Sequence, residues 1–298
     1  MSEHNRESVV GRAKAGLDRA DAVQQEYKTL SVPVAVARKF VEDRSTNLAS
    51  MIAFWAFFSI FPLFLVLITL LGFFVPDDLK NDVLGHVGSM LPLLDPSTMQ
   101  GFGGSWWALI LGLATALWSG IAVVRVTQTA FNAVWNLPFH ARPSLPKQIG
   151  RSLLVLATIG LGLVVSTLIS GFVSSGTDLL DLGWLGRILG YAIAIVLDIA
   201  LFVAAFRILT DREVTTRDVL PGALLSGVLF WVLQTLSSLI ISRYLQNAQS
   251  TYGTFATVIT LLWWFYLQSI VTLLGAQLNV VLKDRLHPRA LADAPGQP

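Results

Sequence analysis

Residues 49–75 read ASMIAFWAFFSIFPLFLVLITLLGFFV, without a single charged side chain. About 20 apolar residues in a helix cross a hydrocarbon core, so this stretch alone is long enough to span a membrane. Five further apolar runs follow at roughly 105–125, 153–173, 184–206, 219–242 and 254–282. In lipid only helices and closed barrels satisfy every backbone polar group, and runs this long and continuous do not alternate like barrel strands. The pattern predicts an all-α, polytopic membrane helical bundle of six transmembrane helices, with short amphipathic interfacial helices beside it.

Composition points the same way. Of the 298 residues 54% are hydrophobic and only 13% charged, whereas soluble domains carry about a quarter charged residues. No connection is long enough for a second folded domain. The expected division is a cytoplasmic N-terminal tail with an amphipathic helix over 1–47, a membrane domain over 48–283 and a disordered cytoplasmic tail over 284–298. The chain has no cysteine, which removes disulfides, thiolate nucleophiles and cysteine metal sites. A net charge of +2 gives no argument for nucleic acid as a partner. The first apolar run begins near Leu48, behind a charged tail, and is too long for a signal-peptide core, so it reads as an uncleaved span.

The basic residues set an orientation. Eight Lys and Arg precede the first span. The second connection carries Arg142, Lys147 and Arg151, the fourth Arg207, Arg212 and Arg217, and the C-terminus Lys283, Arg285 and Arg289. Lys80, Arg187 and Arg243 are all that the other connections hold. Short connections rich in Lys and Arg stay inside, so both termini are expected in the cytoplasm. Trp106, Trp107 and Trp184 then fall at outer helix starts, where amphipathic rings anchor, and Trp135 at the inner surface.

Two segments read as interfacial helices. Residues 31–47, entered through Pro33, set Val36, Phe40 and Val41 against lipid or protein and leave Arg38, Lys39, Glu42, Asp43 and Arg44 to water or headgroups. Val83, Leu84, Val87, Met90, Leu91 and Leu94 recur at helical spacing and predict an amphipathic helix on the outer face, closed by Pro96.

Within the spans, small residues four apart mark close helix contacts. The series are Ala108, Gly112, Ala116 and Gly120 in the second span, Gly162, Ser166, Ser170 and Ser174 in the third, and Gly222 and Ser226 in the fifth. Pro62 frees a carbonyl in the first span, after Ser59, and predicts a kink. The sixth span carries Thr254, Thr257, Gln268, Thr272, Gly275 and Asn279 on one stripe, which fits interhelical hydrogen bonding or the lining of a pathway. Asp198 falls near the middle of the fourth span. A carboxylate there costs about 2.5–3.5 kcal/mol to insert, so it should face inward, find a partner or stay protonated. The candidate pathway or binding set is thus Asp198, Gln268, Thr272, Asn279, Thr257, Ser59 and Tyr252. Arg125, with Arg207 and Arg212, forms a candidate contact for anions or headgroups at the cytoplasmic face, or is simply solvated topogenic charge.

These stretches resemble the YihY/virulence factor BrkB family, once labelled ribonuclease BN. The resemblance is carried by Ala53-Phe54-Trp55-Ala56-Phe57-Phe58-Ser59-Ile60-Phe61-Pro62, Ala116-Leu117-Trp118-Ser119 and Asp218-Val219-Leu220-Pro221-Gly222-Ala223. Thr251-Tyr252-Gly253 and Leu274-Gly275-Ala276-Gln277-Leu278-Asn279 complete it. The family usually carries Tyr at Trp55 and commonly Glu at Gln277. The resemblance implies a six-span protein of the bacterial inner membrane.

For function, the four histidines are scattered, and neither a metal spacing, a phosphate loop nor a Ser-His-Asp set appears. Nuclease chemistry needs clustered ligands or paired acid–base groups, so no enzyme, cofactor or metal is expected. Asp198, the sixth-span stripe and the kinked first span favour transport of ions, small solutes or lipid. The lack of an internal repeat between 49–173 and 184–282 weighs against it. The alternative is a membrane scaffold or envelope-integrity protein. Expected partners are the bilayer and its anionic headgroups, and the small-residue seams permit a homo-oligomer as readily as a monomer.

Overall fold

The computed structural model describes residues 28–74, 105–138, 146–158, 160–162, 183–252 and 255–288. Among the described residues all regular structure is helical. In chain order the helices are α1 (Lys28–Glu42), α2 (Ser45–Phe74), α3 (Trp106–Val134), α4 (146–158), α5 (Gly183–Leu209), α6 (Thr216–Tyr252) and α7 (Phe255–Lys283). Helices α2, α3, α7 and the Thr216–Leu236 part of α6 are long and apolar enough to cross a membrane. Helix α5 covers the expected fourth span, and 146–162 covers the start of the third. The outer connection with the expected amphipathic helix over 83–94 lies outside the described residues.

Helix α7 is the hub. It packs on α6, α2, α1 and α3, while α2 packs along α3 and α5 along α6. The largest buried cluster joins Phe131 of α3 and Phe206 of α5, whose ring centroids are 5.3 Å apart, to Val219 and Ala223 of α6 and Leu273, Ala276 and Val280 of α7. The outer surface is apolar too. Phe54, Phe58, Leu63 and Leu67 of α2 and Leu111, Leu117 and Trp118 of α3 are exposed. An apolar surface of that extent needs a covering phase, and hydrocarbon supplies one. Trp107, 82% exposed at the start of α3, fits an anchoring ring. Ser105 caps that helix, its hydroxyl accepting from the Ala108 N–H.

The small-residue seams of the second and fifth spans face neighbouring helices, as does Gly162 of the third, whose Ser166, Ser170 and Ser174 lie outside the described residues. A Cβ on Gly112 would lie 3.1 Å from Val66 of α2, and one on Gly227 would lie 2.6 Å from Ile199 of α5. The tightest contact is between α6 and α7. A Cβ on Gly222 would overlap the Gly275 carbonyl oxygen, and one on Gly275 would overlap the Ser226 hydroxyl. The crossing is therefore backbone against backbone. The Gly222 N–H donates to Asn279 Oδ1 at 2.7 Å, and Ser226 Oγ donates to the Val271 carbonyl at 3.1 Å.

Several expected boundaries change. The interfacial segment is not one helix over 31–47: α1 starts at Lys28, holds Pro33 inside it and stops at Glu42. Arg44, at φ 50°, breaks the helix and turns the chain directly into α2. Lys39, expected in water, is only 2% exposed, while Val41 is exposed, as a lipid-facing side chain would be. Helix α4 begins well before 153 and takes Arg151 into a helical turn. Helix α2 stays helical through Pro62, where Ser59 Oγ donates to the Ala56 carbonyl at 2.7 Å. Helix α6 has 37 residues, about 55 Å at 1.5 Å each, and so extends beyond the run expected over 219–242.

The crossing makes a direct prediction. Gly222→Ala forces α6 and α7 apart and should cost about 1–3 kcal/mol, as overpacking does in tight cores. Gly150→Ala, which meets nothing within 4 Å, is the control. Thermal unfolding in detergent should show a lower midpoint for the first variant alone.

Candidate functional site

The basic ends of the helices converge on charged residues that the sequence did not single out. Asp211, in the connection between α5 and α6, has a side chain only 3% exposed. It accepts from Asn132 Nδ2 of α3 at 2.6 Å and from Arg151 of α4. Its own N–H donates back to Asn132 Oδ1 at 3.2 Å. One carboxylate thus joins three elements, and each of its oxygens has a charged or amide donor.

A second set fixes the start of α6 and the end of α7. Arg212 forms a two-pronged ion pair with Asp284, at 2.8 and 2.9 Å. These hydrogen bonds raise the Arg212 pKa above its ordinary value, against the opposing effect of burial. Asp218 accepts from the N–H and the hydroxyl of Thr215 at 2.8 and 2.9 Å, which ties down the residue before the helix start. Lys283 joins Asp218 at 2.8 Å and the Glu213 carbonyl at 3.1 Å. Trp135 lies beneath both cations, 5.2 Å from Arg212 and 5.8 Å from Lys283. It is 4% exposed, so it is a buried cation–π platform and not the interfacial anchor expected.

A third set fastens α1. Lys39 pairs with Asp43 at 2.6 Å, and Gln277 of α7 donates from Nε2 to Asp43 at 2.8 Å and to Ser45 at 2.9 Å. Lys39 is buried because its charge is matched one helical turn away, a spacing visible in the sequence but read there as a solvated face.

The candidate residues divide. Asn279 serves the α6–α7 crossing. Thr272 donates to the Gln268 carbonyl of its own helix. Thr257 is buried with its hydroxyl unpartnered, as are Gln128 Nε2 and Asn279 Nδ2. Tyr252 ends α6, and its side chain lies outside the described residues. Asp198 is half-buried in the middle of α5 and makes no hydrogen bond or ion pair among the described residues. At 100° per residue it shares a side of α5 with Phe202 and Phe206, which faces the core. Arg125 is exposed on α3, and Arg207 donates to the Thr216 hydroxyl at 3.1 Å.

Residues 36–297 match the sequence profile of the family described as virulence factor BrkB. The chain belongs to this family. Among curated relatives, a ribonuclease-like protein, YfkH, of Bacillus subtilis is 27% identical over 78% of this chain and 88% of its own length. The UPF0761 membrane protein XAC0937 of Xanthomonas axonopodis pv. citri is 24% identical over 93% of this chain and 67% of its own. No solved structure matches the chain.

The Asp211 junction is testable. Asp211→Ala leaves buried Asn132 without its acceptor, while Arg151 turns to solvent, so the cost should be about 1–3 kcal/mol. Arg38→Ala removes the more exposed 2.8 Å pair with Glu42 and should cost less than about 1 kcal/mol. Denaturation midpoints of the two variants, compared in one detergent, check the order.

Proposed function

We propose that this BrkB-family protein crosses the bacterial inner membrane six times, with both termini cytoplasmic, and moves an ion, a small solute or a lipid along a pathway that includes Asp198. The observation that carries the reading is the state of Asp198. A carboxylate in mid-span with no described partner is costly, and such residues characteristically serve ion or proton paths. The unpartnered Thr257 hydroxyl and Gln128 amide add buried polar atoms that water or a solute would satisfy.

The orientation rests on the basic residues of alternate connections, and among the described residues Arg151, Arg212 and Lys283 are paired at one end of the bundle, which supports it. Single cysteines placed at positions 2 and 297 should both resist a membrane-impermeant thiol reagent in intact spheroplasts and react after lysis. Opposite accessibility of the two ends would refute the six-span topology.

A second reading, a non-transporting scaffold, is favoured by the glycine crossing and by Asn279, which spend part of the polar stripe on packing. Proteoliposomes separate the two. Transport predicts cation flux, proton flux or lipid scrambling above that of empty vesicles, reduced at least about tenfold by Asp198→Asn, whose amide cannot carry the charge. Equal and background rates for both proteins would favour the scaffold.

A further inference from the structure

A cavity of about 540 Å³ opens at the basic end between α5, the α5–α6 connection and α4. Its walls differ in character. Ala200, Val203, Ala204 and Arg207 line it at positions i, i+3, i+4 and i+7, a single stripe of α5 about 10 Å long. The stripe is small and apolar for two turns and then ends on a guanidinium. Arg151 and Arg212 line the same end.

The charges around that end are unequal in availability. Asp211 is engaged by Asn132 and Arg151, and Arg212 directs two N–H groups at Asp284. Arg207 has no carboxylate partner among the described residues and is exposed, its one hydrogen bond going to Thr216. Glu213 and Asp211 are the opposing charges in the lining, two carboxylates against three guanidinium groups. Thr210 also lines the cavity, and its buried hydroxyl has no partner. Guanidinium groups present paired N–H donors in the geometry that phosphate oxygens accept. An apolar channel, open along one side, that runs into such donors matches a molecule with a phosphate at one end and a hydrocarbon chain at the other.

From this we infer that the cavity is a phosphate-binding site filled by the headgroup of a membrane phospholipid, with the proximal part of an acyl chain along Ala204, Val203 and Ala200. Free phosphate is the other source of the same chemistry, and the small residues of the channel argue for the lipid. The stripe lies on the opposite side of α5 from Asp198, so the site does not depend on a transport pathway there.

Native mass spectrometry of the full-length protein in detergent, titrated with phosphatidylglycerol, tests this. Arg207→Gln should weaken lipid binding about tenfold, the loss of a charge-assisted hydrogen bond. Ala204→Phe, which blocks the channel and leaves every arginine, should weaken it as much. Arg285→Gln, an exposed arginine that does not line the cavity, should leave it unchanged. Diacylglycerol, which has the chains without the phosphate, should bind wild type no better than it binds Arg207→Gln. Equal lipid affinity in all four proteins would overturn the site. Inorganic phosphate binding that Ala204→Phe preserves, with phosphatidylglycerol binding indifferent to both cavity variants, would overturn the lipid assignment in favour of the free ion. Because both variants keep the charged junctions intact, unchanged melting temperatures should accompany the loss of binding.

Discussion

The contact of Gly222 with Gly275 constrains everything around it. Lipid chains are as apolar as the helices they surround, so α6 and α7 gain little by hiding apolar surface from one another. They gain by approaching until backbones touch, which two glycines permit and any Cβ at either place prevents. Close approach brings the Asn279 amide to the Gly222 N–H, beside Pro221, where a proline disturbs the helical hydrogen-bond ladder. Polar satisfaction and packing are therefore one event at this crossing. Because α7 also packs on α1, α2 and α3, its angle to α6 sets where those helices stand.

The charged junctions at the basic end then fasten what the crossing orders. Asp211 reaches α3 and α4, Asp284 reaches the α5–α6 connection, and Asp43 links α1 to α7 through Gln277. Asp211 and Asp43 are each an acceptor shared by two residues, and Asp284 takes both prongs of Arg212. The basic residues that orient the chain in a membrane thus have a second role, as partners of a few carboxylates that hold short connections in place. Gln277 fits this pattern in a particular way. Its Nε2 is a donor to a carboxylate and a hydroxyl, and a glutamate there would set two carboxylates against each other.

Long-period features were legible in the sequence, and pairings were not. The helical class, the length of the first span and the small-residue seams follow from hydropathy and from spacing along one chain. Residues 43–45 show where that stops: nothing in the apolar pattern reveals that Arg44 adopts a left-handed conformation and splits 31–47 into two helices. Trp135 and Lys39 show the other limit. Each belongs to a class that favours interfaces, and each is buried because a residue remote in sequence, or one turn away, completes its charge or ring contacts. Counting basic residues in connections passed over Asp211 and Asp284, because acidic residues contribute little to topology while contributing much to the junctions.

The polar residues within the spans sort by whether packing explains them. Asn279 and Ser226 are explained: each completes a hydrogen bond across the α6–α7 crossing. Thr272 returns its hydroxyl to its own helix, which needs no neighbour. Asp198 belongs to neither class. A leucine in mid-span would favour insertion by a few tenths of a kcal/mol, where a carboxylate opposes it by about 2.5–3.5 kcal/mol. A chain shaped only for stability would gain several kcal/mol by the exchange, and the described neighbours return no hydrogen bond for keeping the acid. Sites that lower stability without a structural return are those where function sets the residue. On that ground Asp198 stands apart from Asn279, with which the candidate set had grouped it, and the pathway proposed above would be centred on α5 and not on the α6–α7 crossing.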